Sequence, residues 1–315
     1  MERRVKKKPI IIMIISIIIV LTIGISIALY VKDQNYKKTY DYKLGVLGYN
    51  KDEIITIKKL NEENIDIILN HDYDKNIIDL IQKKYFLKKN LDNYLTYINE
   101  NNSNDFDNVI AIIIVRANEE WYTNPTDSDL DQDNLVLTNK FNKLSDDYEP
   151  DDLIDISNVY SYGENQKLRE SAYNAFIDMF NAAKKEDITL IVNSSYRSYK
   201  DQEETYNDYS NWYGKNEADK IAARPGFSEH QTGLTVDIQT YKSTRSNFEE
   251  TDAFKWLQNN SYKYGYILRY PKDLEYLTGY SYESWHYRYV GREVAEYIHN
   301  NNITYDEYYA YFIEK

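Results

Sequence analysis

The chain has 315 residues, a formal charge of −13 and no cysteine, so its core stands without disulfides and any metal it binds is held by histidine and carboxylate. The first eight residues hold five basic side chains and one acidic, a net +4, which leaves −17 for the rest. A field of that sign excludes nucleic acid and an anionic membrane surface as the main partner of the acidic remainder. Tyrosine is unusually frequent at 34 residues, beside abundant Ile, Asn and Lys, and this reads as compositional drift without functional content.

Residues 1–8 form a basic tail, and residues 9–30 come next without a charged side chain, dominated by Ile. About 20 apolar residues cross a bilayer core as a helix. The run is longer than the ~7–15 residues of a signal-peptide core and shows no small-residue cleavage site near 26–29. It is therefore expected to remain as a single membrane anchor through the cell membrane. The crowding of basic residues before it places the N-terminus in the cytoplasm and everything from about residue 31 outside.

Residues 31–108 show apolar side chains at helical spacing in short stretches around 51–60, 64–69, 76–81 and 91–95, which predicts a small helical bundle, a spacer or a recognition module. The polar, turn-rich run 99–105 marks its end. From residue 109 to 315 the pattern is mixed. Residues 109–115 are a continuous apolar run short enough for a buried strand. Residues 167–184 read as an amphipathic helix and 188–192 as a strand. Ser198 opens a helix that Gly214 ends, Thr251 caps another through about 262, and Thr304 caps the last. Strands and helices do not alternate strictly, so the fold class is α+β with a mainly antiparallel sheet flanked by helices.

Two stretches carry the chemistry: Ser228 to Asp237, reading Ser-Glu-His-Gln-Thr-Gly-Leu-Thr-Val-Asp, and Glu283-Ser284-Trp285-His286. They hold two of the four histidines. A catalytic zinc site needs three protein ligands, an open position for water and a carboxylate nearby to move protons. His230, Asp237 and His286 supply the ligands and Glu283 the base. For His230 and Asp237 to meet at one ion the chain between them must fold back, and Gln231-Thr232-Gly233 supplies the turn. Beyond it Leu234, Val236 and Ile238 alternate with Thr235 and Asp237, which puts the apolar set in the core and Asp237 on the site face. The β-prone segment after Trp285 puts His286 and Arg288 on one face. Arg197, just past the second strand, offers a guanidinium to clamp a carboxylate or stabilise an oxyanion. Each piece alone is weak, since Glu-x-x-His arises by chance and a lone His beside Gly is usually structural; the joint pattern carries the reading. His71 and His299 fit no such pattern and read as solvated.

Ser-x-His-x-x-Gly-x-x-x-Asp at 228–237, Glu-x-x-His at 283–286 and the upstream Tyr196-Arg197-Ser198 together resemble the zinc D,D-peptidases of the VanY type, over roughly residues 109–315. The resemblance implies a zinc D-alanyl-D-alanine carboxypeptidase that acts on peptidoglycan stem peptides ending in D-Ala-D-Ala. It implies zinc ligands at His230, Asp237 and His286, and Glu283 as the base that activates water and as the acid for the leaving amine. Arg197 would stabilise the transition state and Ser228 would seat the substrate terminus. Thr235 stands where the family often has Ala, beside Asp237. Within the class a wall endopeptidase or an L,D-carboxypeptidase is the near alternative; outside it, a wall-binding or sensor protein that has lost catalysis, against which the full ligand set and Glu283 argue. An anchored domain facing outward meets the cell wall, where such termini lie.

Overall fold

A computed structural model describes residues 7–314, with side chains from residue 12 onward; the basic tail expected over residues 1–8 lies, up to residue 6, outside them. Contacts divide the chain into one unit up to Phe106 and another from Asp107.

The first unit opens with helix α1, Lys7–Lys37. Within it Ile12–Lys37 is long and apolar enough to cross a membrane; at 1.5 Å per residue it spans about 39 Å, against roughly 30 Å of hydrocarbon. Its apolar side chains are exposed all round from Ile12 to Val31, a surface suited to lipid rather than to a protein core. Five short helices come after it: α2 Tyr40–Leu47, α3 Lys51–Ile57, α4 Glu62–Leu69, α5 Asn76–Leu80 and α6 Leu91–Asn101. Three of their starts carry side-chain caps. Thr39 accepts from the Tyr42 amide, Asn50 and Glu53 close a reciprocal capping box, and Asn61 accepts from the Asn64 amide, each satisfying donors that a helix start leaves open. Helices this short are marginal alone, and they are held by a shared interior of Leu44, Ile57, Ile68, Ile77, Leu80 and Tyr94, all fully buried.

In the second unit the expected strand at 109–115 is instead a helix, α7 Phe106–Ile114. Every side chain from Val109 to Ile114 is buried, and a helix enclosed on all sides presents the same unbroken apolar run as a central strand. Arg116, at φ 64°, ends it in the left-handed region. Two short ladders come next, β1 Thr126–Asp127 with β2 Asn142–Lys143 and β3 Leu153–Asp155 with β4 Lys167–Arg169. The second takes up the first three residues of the helix expected over 167–184, so α8 begins at Glu170 and runs to Lys184. It buries Ala172, Phe176, Met179 and Ala183 along one stripe.

The main sheet consists of β5 Ile191–Ser194, β6 Thr235–Gln239, β7 Tyr266–Leu268 and β8 His286–Tyr289. Its spatial order is β5-β6-β8-β7, with every pairing antiparallel. Between β5 and β6 lie α9 Tyr199–Tyr213, capped by Ser198, and α10 Lys215–Ile221. Helices α11 Asp252–Asn260, capped by Thr251, and α12 Glu275–Thr278 flank β7. The chain ends in α13 Arg292–Asn301 and α14 Tyr305–Phe312, the latter opened by a Thr304/Glu307 capping box. One sheet face contributes Val192, Leu234, Val236, Ile238 and Tyr287 to a core shared with Phe176 and Met179 of α8 and Phe254 and Leu257 of α11. The opposite face carries Asp237, His286 and Arg288, as the alternation predicts.

That second face is buried as well, and its charges are paired. Glu229 Oε1 accepts from Arg269 Nε at 2.7 Å and from Arg288 Nη1 at 3.1 Å. Arg269 also donates to both oxygens of Asp306 in α14, at 2.6 and 3.1 Å, and Arg288 Nη2 reaches the carbonyls of Asn134 and Val136. All four charged side chains are buried. Burial favours the protonated form of Glu229, but the two guanidiniums overcome it and hold the carboxyl far below the usual carboxylate range. Truncating one partner of such a network leaves uncompensated buried charge, at a cost of about 3–5 kcal/mol. Arg269→Ala is therefore expected to lower unfolding stability by that amount in urea titrations followed by near-UV circular dichroism; a loss below about 1 kcal/mol would mean that water replaces the guanidinium.

Candidate metal centre

The local fold brings the ligand candidates together from two directions. Ser228 Oγ accepts from the His230 amide at 3.3 Å and opens a single 3-10 turn, Glu229–Thr232. Gly233 closes it at φ 67°, where a Cβ would also stand 2.9 Å from Leu153 Cδ2 and 3.0 Å from Arg169 Cγ; only glycine meets both conditions. The chain then enters β6, and Asp237 pairs directly with His286 across the β6–β8 ladder.

The resulting geometry is specific. His230 Nδ1 lies 2.6 Å from the Ser195 carbonyl oxygen, which can only accept, so Nδ1 carries the proton and Nε2 is left as a donor to a metal. That Nε2 is 3.5 Å from Asp237 Oδ1. His286 faces the other way round: its Nδ1 is 3.2 Å from Asp237 Oδ1 and its Nε2 is 3.5 Å from Glu229 Oε2. The ligand atoms of His230, Asp237 and His286 lie within 4.8 Å of one another, and all three residues are buried. Donors about 2.0–2.2 Å from a tetrahedral zinc are about 3.3–3.6 Å apart, close to both measured donor separations to Asp237. Asp237 Oδ2 accepts from Arg245 Nη2 at 2.6 Å, while the buried Oδ1 has no hydrogen-bond partner among the described residues. A buried carboxylate oxygen between two imidazole nitrogens fits a zinc ion.

Electrostatics point the same way. Burial and the Arg197 guanidinium push the His230 pKa down to about 4, which keeps the ring neutral as a ligand must be. Burial alone would lower His286 too, but its contacts with Asp237 and Glu229 carry it up to about 9. The carboxylates around that ring thus stabilise positive charge where the donors converge. Glu283 Oε2 is 3.4 Å from His286 Nδ1. Burial, with Asp237 close by, raises its pKa to about 7, the range suited to a group that both takes and returns a proton.

Arg197, Ser228, His230, Asp237, Glu283 and His286 all line one cavity of about 160 Å³, so the six residues singled out in the sequence share a single site. Arg197 is held rigidly, Nη1 donating to Gln202 Oε1 and Nη2 to Ser194 Oγ, both at 2.8 Å. Three further residues were not assigned from sequence. Glu229 buttresses His286, Arg245 pairs with Asp237 and also lines the cavity, and Tyr270 packs its ring 4.8 Å from that of His286. The available signal for Glu229 was the pair of arginines, Arg269 and Arg288, set in β-prone apolar segments that demand a buried acid. The other two histidines lie outside the site. His299 is exposed and stacks on Tyr262 at 3.8 Å. His71 is half-buried rather than solvated, with Nδ1 2.8 Å from the Ile67 carbonyl oxygen one helical turn back.

The sequence profile of VanY, D-alanyl-D-alanine carboxypeptidase, matches residues 165–292. The chain is 45% identical over 185 residues to YodJ of Bacillus subtilis (strain 168), covering 56% of this chain and 66% of YodJ, just under two thirds of that protein. Among solved structures it is similar to the LdcB LD-carboxypeptidase, with a TM-score of 0.56, 39% identity and coverage of 60% of this chain and 91% of the other. It is also similar to a vancomycin-resistance D,D-pentapeptidase VanY solved in complex with Zn(II), with a TM-score of 0.50, 34% identity and coverage of 56% and 98%.

If His286 is a ligand, His286→Ala should lower zinc stoichiometry, measured by atomic emission after dialysis. The zinc-dependent rise in melting temperature should shrink with it, because a ligand stabilises only the state that binds it. Unchanged stoichiometry would remove His286 from the ligand set.

Proposed function

The chain belongs to the VanY family of D-alanyl-D-alanine carboxypeptidases, and from that premise we propose that it is a zinc peptidase removing the C-terminal D-Ala from peptidoglycan stem peptides. The observation that carries this reading is the convergence of His230 Nε2, Asp237 Oδ1 and His286 Nδ1 beside the half-buried carboxyl of Glu283 in one cavity. A zinc ion held by His230, Asp237 and His286 would supply Lewis acidity, to polarise the scissile carbonyl and lower the pKa of a water to about 7.

The remaining work falls to the chain's own side chains. Glu283 accepts the proton from the attacking water and returns it to the amine of the departing D-Ala, from its place 3.4 Å from His286 Nδ1. Arg197, fixed by Gln202 and Ser194, lines the cavity and stabilises the developing oxyanion. Ser228 seats the substrate terminus. Arg245 holds Asp237 ionised and oriented through its other oxygen, as partners of metal ligands do. In this reading residues 9–30 anchor the protein in the cell membrane with the N-terminus in the cytoplasm, and the catalytic unit faces the wall. Residues 31–108 serve as a helical spacer or a recognition module.

The likeness to the LdcB LD-carboxypeptidase favours a second reading, removal of D-Ala from the L-residue of a tetrapeptide by the same site. Products separate the two. The zinc-loaded full chain is expected to take one alanine from L-Ala-D-Glu-L-Lys-D-Ala-D-Ala, seen by mass, and to leave the tetrapeptide intact. Cleavage of the tetrapeptide alone would establish the second reading. Glu283→Gln should retain zinc and lose about 10²–10⁴-fold in kcat; turnover near that of the unaltered chain would take the base role away from Glu283.

A further inference from the structure

The cavity does not end at the reacting groups. Gln202, Thr205 and Tyr209 of α9 line it, and their spacing places them on one face of that helix. The same face continues to Trp212 and Tyr213, where the helix ends. There three rings form one surface: Tyr209 lies 5.8 Å from Trp212 and 6.1 Å from Tyr213, stacked on the latter at 26°. Tyr209 is half-buried at the cavity wall, whereas Trp212 is 67% exposed and Tyr213 58%. Two large aromatic side chains held open to water, continuous with a binding cavity, are a surface made to be covered.

We propose that Tyr209, Trp212 and Tyr213 form a platform for a neutral N-acetylhexosamine ring, the glycan to which the stem peptide is attached. The inference rests on the stem-peptide reading of the site. From Gln202 to Trp212 the helix rises about 15 Å, the span of about four extended residues at 3.3–3.6 Å each. A stem with its C-terminus in the cavity thus brings its sugar-linked end to the aromatic end of α9. Charge selects the occupant. The helix carries Asp201, Glu203, Glu204 and Asp208 against Lys200 alone, which repels phosphate-bearing polymers and anionic lipid headgroups. A sugar whose carboxyl is consumed in the amide to the stem bears no charge, and its C–H face packs on an aromatic ring.

The test compares kcat/KM of the zinc-loaded full chain on a free pentapeptide and on the same pentapeptide linked to its disaccharide. The double substitution Trp212→Ala, Tyr213→Ala should cost at least about tenfold, or about 1.4 kcal/mol, on the sugar-linked substrate and leave the free peptide unchanged. Equal losses on both substrates, or none on either, would overturn the platform. Saturation-transfer NMR with N,N′-diacetylchitobiose, a neutral disaccharide, reads the platform without catalysis. A signal that the double substitution abolishes supports it even if neither peptide is turned over, the result that defeats the peptidase reading alone. No signal from the unaltered chain would sink the proposal.

Discussion

Glu229 between Arg269 and Arg288 is the interaction on which the site depends. A carboxylate and two guanidiniums removed from water each cost several kcal/mol unless paired, so burial holds the three side chains against one another. Glu229 is the residue before His230, Arg288 lies two residues beyond His286 on the same strand face, and Arg269 comes directly after β7. Asp306 draws in the start of α14 and balances the second guanidinium. Both histidine positions are thereby set by charge pairing one layer behind them. The other oxygen of Glu229 then turns to His286 Nε2 at 3.5 Å and leaves Nδ1 toward the donors.

The cavity brings charges of both signs together. The protein is strongly acidic, yet Arg197 and Arg245 both line the site, among buried carboxylates that each have an assigned partner or neighbour. In the proposed reading these two guanidiniums are the groups that would meet the free carboxylate of a peptide end.

The parts legible in the sequence were those set by short spacing. The turn at 231–233, the alternation from Leu234 to Ile238 and the caps at Ser198, Thr251 and Thr304 depend on neighbours a few residues away, and the structure places each where the pattern predicted. The helix at 106–114 was missed because an enclosed helix and a central strand present the same apolar run. The start of α8 was missed because residues 167–169 pair with 153–155, a contact with no local signature. Glu229 and Arg245 escaped for a related reason. Glu229 meets partners 40 and 59 residues away, and Arg245 sits in a polar loop whose approach to Asp237 only the fold decides.

The direct pairing of Asp237 with His286 has a consequence for how the protein reaches its native state. The two strands meet across a long intervening stretch, and a slip of one residue in either strand would turn its ligand side chain from the site toward the apolar core. Only one register therefore presents three donors to an ion. An ion held by His230, Asp237 and His286 would favour that one strand alignment over its slipped alternatives.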